Sequence, residues 1–295
     1  MIDTWEEYRI FEENLKKFVE SVDTTPKIKK GLAYALTAGG KRSRPVIVLL
    51  SSKLCGGDYS DVMNLALSVE LIHTASLVHD DVIDKAEKRR KREALHKKYD
   101  IALAIVLGDW LISKAVELTS DYGEEIIRDF SNVGMMMSEG EVLDFYSIKE
   151  DFSEKDYFEC IEKKTAALFA YSARSASKIV CDDRIAANKL FDYGLNLGMA
   201  YQIVDDLLEY LRLLDDKHSV FESRTLPQIY EEKYGKDEGV RKVIEVIDRF
   251  VEKSRNSLDY FEDCREKEKL RKIVDFMTYD MIRKKEFSSG FDKSV

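Results

Sequence analysis

The sequence predicts an all-α protein, a single-domain bundle of about ten or more helices. Only 3 prolines and 14 glycines occur in 295 residues, and so few breakers over this length favour long helices over short strands. Hydrophobic residues make up 44% of the chain, which is enough to fill a large core. Because no long linker and no repeat of fixed period interrupts the pattern, we expect one domain spanning residues 1–295.

The three prolines are expected at helix starts. Pro26 follows two threonines, Pro45 opens the run PVIVLLSSKL, and Pro227 comes two residues after Thr225. Proline is tolerated in the first helical turn because its missing N–H would have no partner there. We expect the runs 62–78 and 101–112, which are apolar on more than one face, to be buried. The pattern predicts helices over residues 4–21, 26–37, 44–55, 59–84, 96–120, 122–147, 154–179, 184–213, 226–234, 237–256 and 266–285.

Charge and cysteine usage exclude several classes of protein. The net charge of -9 argues against nucleic acid as the main partner, because phosphate backbones need a cationic surface. The four cysteines lie far apart without metal-ligand spacing and are typical of reduced, intracellular thiols. The N-terminus lacks an apolar secretory core, and no run approaches 18 uninterrupted apolar residues. We therefore expect a cytoplasmic protein without a transmembrane segment.

A cluster of acids ends one strongly apolar helix. The segment SVELIHTASLVH runs into Asp80, Asp81 and Asp84, and the first and third of these point the same way, one turn apart. Like charges on one face repel, and a helix C-terminus disfavours anions. Six cations lie between Lys85 and Arg92, and acids beside cations are what a Mg²⁺–diphosphate site requires. The alternative is a solvated helix end.

A second apolar helix repeats this spacing. The segment GLNLGMAYQIVDDLLEYL carries Asp205, Asp206 and Glu209. Two such clusters are far more specific than one, and in an antiparallel bundle their helices can face each other across a central cavity. Since every candidate ligand is an oxygen, the expected metal is Mg²⁺ rather than zinc.

Six features, in order, resemble the trans-isoprenyl diphosphate synthases over nearly the whole chain. DDVID at 80–84 looks like the first aspartate-rich motif of that family, and DDLLE at 205–209 looks like the second. GGKRSRP at 39–45 is similar to the family's Gly-Gly-Lys-x-x-Arg loop. The other matches are the pairs Arg89–Arg90, Lys164–Thr165 and Tyr201–Gln202.

The resemblance implies the isoprenoid synthase fold, a homodimer, and Mg²⁺-assisted condensation of isopentenyl diphosphate with an allylic prenyl diphosphate. It implies metal ligation by Asp80, Asp84 and Asp205, with Asp81, Asp206 and Glu209 holding metal-bound water or other ligands. The cations implied for the allylic diphosphate are Arg89, Lys164 and Arg224, to which Lys217 is added. Isopentenyl diphosphate would be held by Lys41, Arg44, His73 and Arg90. The Thr165 hydroxyl and the carbonyls of Lys164 and Gln202 would steady the allylic cation.

Product length depends on the residues one turn before Asp80. In the resembled family an aromatic side chain there stops growth at short products, whereas this chain has Ala75 and Ser76. Small side chains would leave a tunnel open there, and HTASLVH at 73–79 looks more like the long-chain members of the family. The resemblance therefore implies a trans-polyprenyl diphosphate of C20 or longer, towards about C30 or more. The alternative is that small residues merely permit close helix packing. A long, apolar product would allow transient membrane contact during its release.

Three departures keep other functions open. Glu209 stands where the family usually has Asp, Lys91 and Glu93 replace the usual Gly and Pro, and the loop at 215–227 is short and lacks the usual Gly-x-Asp. One alternative is a terpene cyclase of the same fold, which would have no need for the Lys41 loop. The other is a non-catalytic subunit of a heteromeric synthase, which would have no need for both acid clusters.

Overall fold

The computed structural model describes residues 2–149, 151–215 and 223–283, and nearly all of them are helical. The all-α prediction is confirmed. Contacts divide the chain into two compact units. Unit 1 comprises Met1–Ser131 and Ile179–Cys181, and unit 2 comprises Asn132–Lys178 and Asp182–Val295. The expectation of one domain stays a prediction.

Unit 1 is built around its fourth helix. Its helices are α1 (Glu6–Ser21), α2 (Pro26–Leu36), α3 (Ser43–Leu54), α4 (Met63–Ile83), α5 (Leu95–Lys98) and α6 (Ile101–Thr119), and α7 (Glu124–Tyr146) begins here. A short hairpin of β1 (Lys88–Arg89) and β2 (Arg92–Glu93) lies between α4 and α5. Helix α4 packs against α1, α2, α3, α5 and α6, so it is the core of the unit.

The burial of α4 changes along its length. Every side chain from Leu65 to Ile72 is buried, and beyond that point only a stripe at Thr74, Ala75, Val78 and Asp81 remains buried. The segment Tyr59–Ile83 is long and apolar enough to cross a membrane by length and composition alone. Because 67% of its most apolar window is buried, it fits equally well as a core helix of a folded unit.

Helix α6 contradicts the expectation that residues 101–112 are buried. Ile101 and Val106 are 56% and 54% exposed, and Ile105 and Ile112 are also exposed. Buried residues recur at Ala104, Leu107, Gly108 and Leu111, where the helix meets α4. The helix therefore buries one face in unit 1 and presents a second apolar face outward, and composition alone does not separate this case from full burial.

Unit 2 is built around its longest helix. It contains the end of α7, then α8 (Glu154–Ile161), a π-helical turn (Glu162–Ala166), α9 (Ala167–Val180), α10 (Arg184–Asp215), α11 (Leu226–Tyr234), α12 (Lys236–Ser257) and α13 (Arg265–Met277). Helix α10 packs against α8, the π-helical turn, α11, α12 and α13. Residues 279–283 are again helical.

The predicted helix starts at the prolines are confirmed. Pro26 is the first residue of α2, and Pro227 lies in the first turn of α11, where Thr225 and Gln228 form a capping box. The sequence pattern missed the hairpin at 88–93 and the π-helical turn at 162–166, which lie beside candidate site residues. The predicted helix over residues 96–120 is divided into α5 and α6 by a break at residues 99–100.

Candidate active site

The first acid cluster lies where α4 ends. The N–H of Ala86 donates to the carbonyl of Asp81 at 2.9 Å, and the N–H of Lys85 donates to that of Val82 at 3.3 Å. Lys85 adopts a left-handed φ of 54°, so the helix closes with the Schellman pattern that glycine usually supplies. This stop places the side chains of Asp80 and Asp84 on the less buried face of α4.

The middle acid of the cluster differs from its neighbours. Asp81 is 3% exposed and accepts two hydrogen bonds from Arg89, from Nε at 2.8 Å and from Nη2 at 2.5 Å. Asp80 is half-buried and Asp84 is exposed. Burial lowers the pKa of Arg89, but Asp81, and then Asp80 and Asp84, raise it above its ordinary value. Asp81 is therefore an anchor for the cation of the hairpin, and the outer two acids face outward.

The hairpin joins this cluster to the glycine loop of unit 1. Its turn residues, Arg90 and Lys91, have φ of 50° and 66°, which is the two-residue turn that matches strand twist. The Arg90 guanidinium donates to the carbonyl of Gly39. Gly40 has a φ of 144°, a backbone conformation that favours glycine, and a Cβ there would lie 2.7 Å from Arg90 Nη1 and displace the guanidinium.

A buried arginine, Arg42, anchors the same loop to the helices of unit 1, and the sequence did not predict this role. Arg42 begins α3 with a left-handed φ of 48°, and its side chain is 1% exposed. It donates to Glu12 at 2.6 Å, to Glu70 at 2.5 Å and to the carbonyl of Leu36 at 2.6 Å. Burial lowers its pKa, but the two carboxylates outweigh burial and raise it. Arg42 thereby ties the loop to α1, α2 and α4.

The residues predicted to hold isopentenyl diphosphate lie on either side of Arg42 and on α4. Lys41 is exposed, and Arg44 is 8% exposed with its Nη1 3.4 Å from Nε2 of His73. Burial, followed by Arg44 and Arg90, holds the pKa of His73 well below its usual range. His73 is therefore neutral at pH 7 and can accept or donate one hydrogen bond beside these cations. Unit 1 brings Lys41, Arg44, His73, Arg89 and Arg90 into one connected region.

In unit 2, a stripe on α10 places the second cluster. Gly194, Gly198, Gln202 and Asp206 recur every four residues and so lie along one face. A Cβ on Gly194 would lie 2.4 Å from the carbonyl oxygen of Phe169, and one on Gly198 would lie 2.5 Å from Cα of Ala166. The two glycines let α10 approach the π-helical turn and α9 closely, which sets Gln202 against Thr165.

A hydrogen-bonded chain crosses unit 2 from Tyr157 to Thr165. The Tyr157 hydroxyl donates to Oδ2 of Asp206 at 2.6 Å, and Nε2 of Gln202 donates to Oδ1 at 2.8 Å. The Thr165 hydroxyl donates to Oε1 of Gln202 at 2.8 Å. Burial raises the pKa of Asp206 to about 7, although the bonds from Tyr157 and Gln202 oppose the rise. The role of Tyr157 has no signal in the sequence, because it lies 49 residues from Asp206.

The outer acids of this cluster face outward, as in unit 1. Asp205 and Glu209 are exposed and lie one helical turn apart, whereas Asp206 is 8% exposed. Arg212 Nη2 lies 3.4 Å from Oε1 of Glu209. The exposed oxygen atoms on α10 are therefore those of the first and third acids.

Lys164 lies in the π-helical turn between two carboxylates of α7. Its Nζ is 2.6 Å from Oδ2 of Asp144 and 2.8 Å from Oε2 of Glu141. Burial lowers its pKa, but Asp144 and Glu141 outweigh burial and raise it. A Cβ on Gly140 would lie 2.3 Å from the backbone nitrogen of Lys164, so glycine permits this close approach of α7. The two acidic partners were not predicted.

The remaining predicted residues have mixed surroundings. Arg224 forms a two-bond ion pair with Glu232, at 3.0 and 2.5 Å, and this carboxylate competes with any diphosphate. Lys217 lies outside the described residues. On α4, Ala75 is fully buried, whereas Ser76 is half-buried and donates to the carbonyl of His73 at 2.9 Å.

The donor set of both clusters fits Mg²⁺. Each supplies only carboxylate oxygens, the hard ligands that Mg²⁺ prefers. Asp84, Asp205 and Glu209 are exposed, and Asp80 is half-buried. Across residues 2–149, 151–215 and 223–283, no group of three or more His, Cys, Asp or Glu side chains is gathered closely enough to hold a metal ion. Ligation by two carboxylates plus water and substrate phosphate is the usual habit of Mg²⁺ and requires no such group.

Comparisons with known proteins agree with one another. The sequence profile of the polyprenyl synthetase family matches residues 25–218. The geranylfarnesyl diphosphate synthase of Methanosarcina mazei is 42% identical over 281 residues, which cover 95% of each chain. The crystal structure of a geranyltranstransferase from Methanosarcina mazei superposes with a TM-score of 0.84 at 40% identity, covering 96% of this chain and 100% of that one. A heptaprenyl diphosphate synthase from Staphylococcus aureus gives a TM-score of 0.83 at 25% identity, covering 92% and 96%.

Proposed function

The chain belongs to the polyprenyl synthetase family and is a prenyltransferase of the isoprenoid synthase fold, and we propose that it elongates an allylic diphosphate to a C25 product. The co-substrate is isopentenyl diphosphate. The observation that carries the chain length is the 42% identity, over 95% of both chains, to a geranylfarnesyl diphosphate synthase. A C25 product agrees with the expectation of C20 or longer and lies below the value of about C30 that the small residues on α4 favour.

We propose that the exposed acids hold the metal. Asp80 and Asp84 in unit 1, and Asp205 in unit 2, are assigned as Mg²⁺ ligands, with Glu209 as a further oxygen donor. Bound Mg²⁺ supplies a positive charge that stabilises the diphosphate leaving group as the allylic C–O bond breaks. Asp81 and Asp206 act through the groups they anchor, Arg89 and Gln202, and through metal-bound water.

The cations of each unit bind diphosphate oxygens in this proposal. Lys41, Arg44, Arg90 and neutral His73 hold isopentenyl diphosphate, and charge-assisted hydrogen bonds from arginine fix its orientation. Arg89 and Lys164 hold the allylic diphosphate, and Arg224 and Lys217 would add to this set. Two of the three N–H donors of Lys164 can serve Asp144 and Glu141, so the third can bind a phosphate oxygen without loss of either carboxylate partner.

Neutral dipoles stabilise the positive charge that forms on the allylic carbons. The Thr165 hydroxyl oxygen and the carbonyl oxygens of Gln202 and Lys164 can orient their negative ends towards an allylic cation. Apolar walls exclude the water that would otherwise capture that cation. The double bond of isopentenyl diphosphate then forms the new C–C bond, and loss of one proton, to the released diphosphate, restores a double bond. No nucleophilic side chain is required.

A homodimer is the proposed assembly, and the outward face of α6 supports it. Ile105, Ile112 and Val116 are exposed at helical spacing, and Ile101 and Val106 extend the same apolar surface. Contiguous exposed apolar surface of this kind commonly marks a protein–protein interface. Sedimentation of the purified chain tests the assembly, and Ile105→Asp with Ile112→Asp is expected to shift it towards the monomer.

We propose a cytoplasmic enzyme that contacts membranes only transiently. None of the four cysteines, all of which are among the described residues, forms a disulfide, and this is typical of a reducing compartment. A C25 chain is apolar enough to partition into lipid, so release next to a bilayer is favoured.

Product analysis tests the proposed function. The purified chain is incubated with Mg²⁺, isopentenyl diphosphate and allylic primers of increasing length, and the dephosphorylated products are separated by chromatography. A C25 alcohol as the main product supports the proposal. A main product of C15, or a cyclic hydrocarbon formed from a single substrate, would refute it.

A further inference from the structure

We propose that Tyr157 is a positioning residue of the reaction, acting through Asp206 to fix the orientation of the Gln202 side-chain amide. This inference rests on the proposed function, because Gln202 is the residue assigned there to steady the allylic cation. Tyr157 lies on α8, and its side chain ends at the buried carboxylate of α10.

In the hydrogen-bonded network from Tyr157 to Thr165, each polar atom has a fixed role as donor or acceptor. Asp206, when ionised, can only accept hydrogen bonds, so both of its neighbours must donate to it. Gln202 therefore presents its Nε2 donor to Oδ1 of Asp206 at 2.8 Å. Its other atom, Oε1, is left as an acceptor, and the Thr165 hydroxyl donates to it at 2.8 Å. With the amide in this orientation, the carbonyl is the end of Gln202 that lies against Thr165.

Tyr157 fixes the other oxygen of the Asp206 carboxylate. It is 2% exposed, and its hydroxyl gives Oδ2 of Asp206 its partner at 2.6 Å. Without the hydroxyl, a buried carboxylate oxygen loses a charge-assisted hydrogen bond. Rotation of Asp206 to recover a partner would withdraw Oδ1 from Gln202, and the amide would then be free to turn. The hydroxyl of Tyr157 thus stabilises the Gln202 orientation without contacting substrate.

The test compares two tyrosine-to-phenylalanine variants in unit 2. Tyr157→Phe removes the hydroxyl at the start of the chain of hydrogen bonds. Tyr193→Phe is a matched control, because Tyr193 is also fully buried and its hydroxyl donates to the carbonyl of Leu270 at 2.9 Å, among residues outside the network. Thermal unfolding midpoints are measured for both proteins, together with kcat and the KM of each substrate.

We expect both variants to unfold at lower temperature, but only Tyr157→Phe to lose kcat, by about tenfold, with an unchanged KM for isopentenyl diphosphate. Combining Tyr157→Phe with Gln202→Ala is expected to give no further loss beyond Gln202→Ala alone, since both substitutions act on one group. If Tyr157→Phe does not fold, Asp206→Ala, Gln202→Ala and their double variant are compared, and the losses of kcat are expected to be less than additive, because both substitutions remove the oriented amide.

Three results would overturn the inference: an unchanged kcat in Tyr157→Phe, an equal loss of kcat in Tyr193→Phe, or additive losses when Tyr157→Phe and Gln202→Ala are combined. In the fallback comparison, additive losses of kcat have the same meaning. Failure of the proposed function has a different signature, because the wild-type chain would then form no C25 product.

Discussion

The two acid clusters share a sequence pattern but hold their middle acid differently. In unit 1, Asp81 is buried against the guanidinium of Arg89, at 2.5 and 2.8 Å. In unit 2, Asp206 is buried against two neutral donors, Tyr157 and Gln202. The first carboxylate is balanced by a cation, whereas the second has only neutral hydrogen-bond donors, and burial raises its pKa to about 7.

The difference indicates what each middle acid supports. Under the proposed function, Asp81 orients a cation for diphosphate, and Asp206 orients an amide for a carbocation. In both clusters the outer acids, one turn apart, are less buried than the middle acid. The proposal therefore gives each motif two tasks, metal ligation by the outer acids and anchoring by the middle one.

Loss of an outer acid is expected to have the largest effect. Asp80→Ala and Asp205→Ala should each lower turnover by about 10³-fold or more, because a metal that stabilises the leaving diphosphate contributes several kcal/mol to the rate. Steady-state kinetics at saturating Mg²⁺ and circular dichroism check activity and fold together. Near-wild-type turnover of either variant would contradict the assignment of that residue as a Mg²⁺ ligand.

The two proposed sets of cations should separate the two substrates. Lys41→Ala and Arg44→Ala are expected to raise the KM of isopentenyl diphosphate about tenfold or more, because each loses a charge-assisted contact of about 1.5–3 kcal/mol. Lys164→Ala should act mainly on the allylic primer. Initial rates with each substrate varied in turn provide the measurement, and equal effects on both substrates in all three variants would show that this division is wrong.

The residue four positions before each cluster also differs, and product length tests the effect of this difference. Ser76 precedes Asp80, whereas Tyr201 precedes Asp205 and packs edge-on against Phe169, with ring centroids 5.9 Å apart. Ser76→Phe is expected to shorten the product by at least one isoprene unit, because an aromatic ring on the half-buried face of α4 fills space beneath the reacting end. Chromatography of the dephosphorylated products decides, and Ser76→Ala serves as the control. An unchanged product in Ser76→Phe would place the limit elsewhere.

The smallest expected effect is on the pH dependence of stability. The folded-state pKa of Asp206, about 7, lies above its unfolded value of about 3.9, so between these values the folded chain binds more protons. This contribution to stability is fully present below about pH 4 and is lost as pH rises towards 7, by about 2–4 kcal/mol. Asp206→Asn should therefore gain stability relative to the wild type over this range. Denaturant unfolding without Mg²⁺ measures the difference, and parallel pH profiles of the two proteins would contradict the prediction.

Helix placement could be predicted from sequence because periodicity and proline positions are local signals. Both aspartate-rich helices and the proline-led starts of α2 and α11 follow this rule. The hairpin could not be predicted, because its turn residues, Arg90 and Lys91, are not the glycines that usually adopt positive φ. The exposed face of α6 was also missed, because the sequence pattern of an apolar helix does not show whether its second face is buried in the fold or exposed.

The site residues remain a prediction, and their contacts could not be predicted at all. Motif spacing and the family resemblance select Asp80, Asp205 and Lys164, whereas the partners of residues in these regions come from distant parts of the sequence. Glu12 and Glu70 contact Arg42 from 30 and 28 residues away. Such partners become neighbours only through tertiary packing, and no local pattern marks them.

The most direct test of the account measures diphosphate release from the purified wild-type chain alone. Isopentenyl diphosphate and geranylgeranyl diphosphate are supplied with Mg²⁺ or with chelator, and released diphosphate is followed together with the C25 product. We expect release and chain extension in equal amounts, only when Mg²⁺ is present. No release from a folded chain with Mg²⁺ and both substrates would contradict it and would indicate a subunit that requires a catalytic partner.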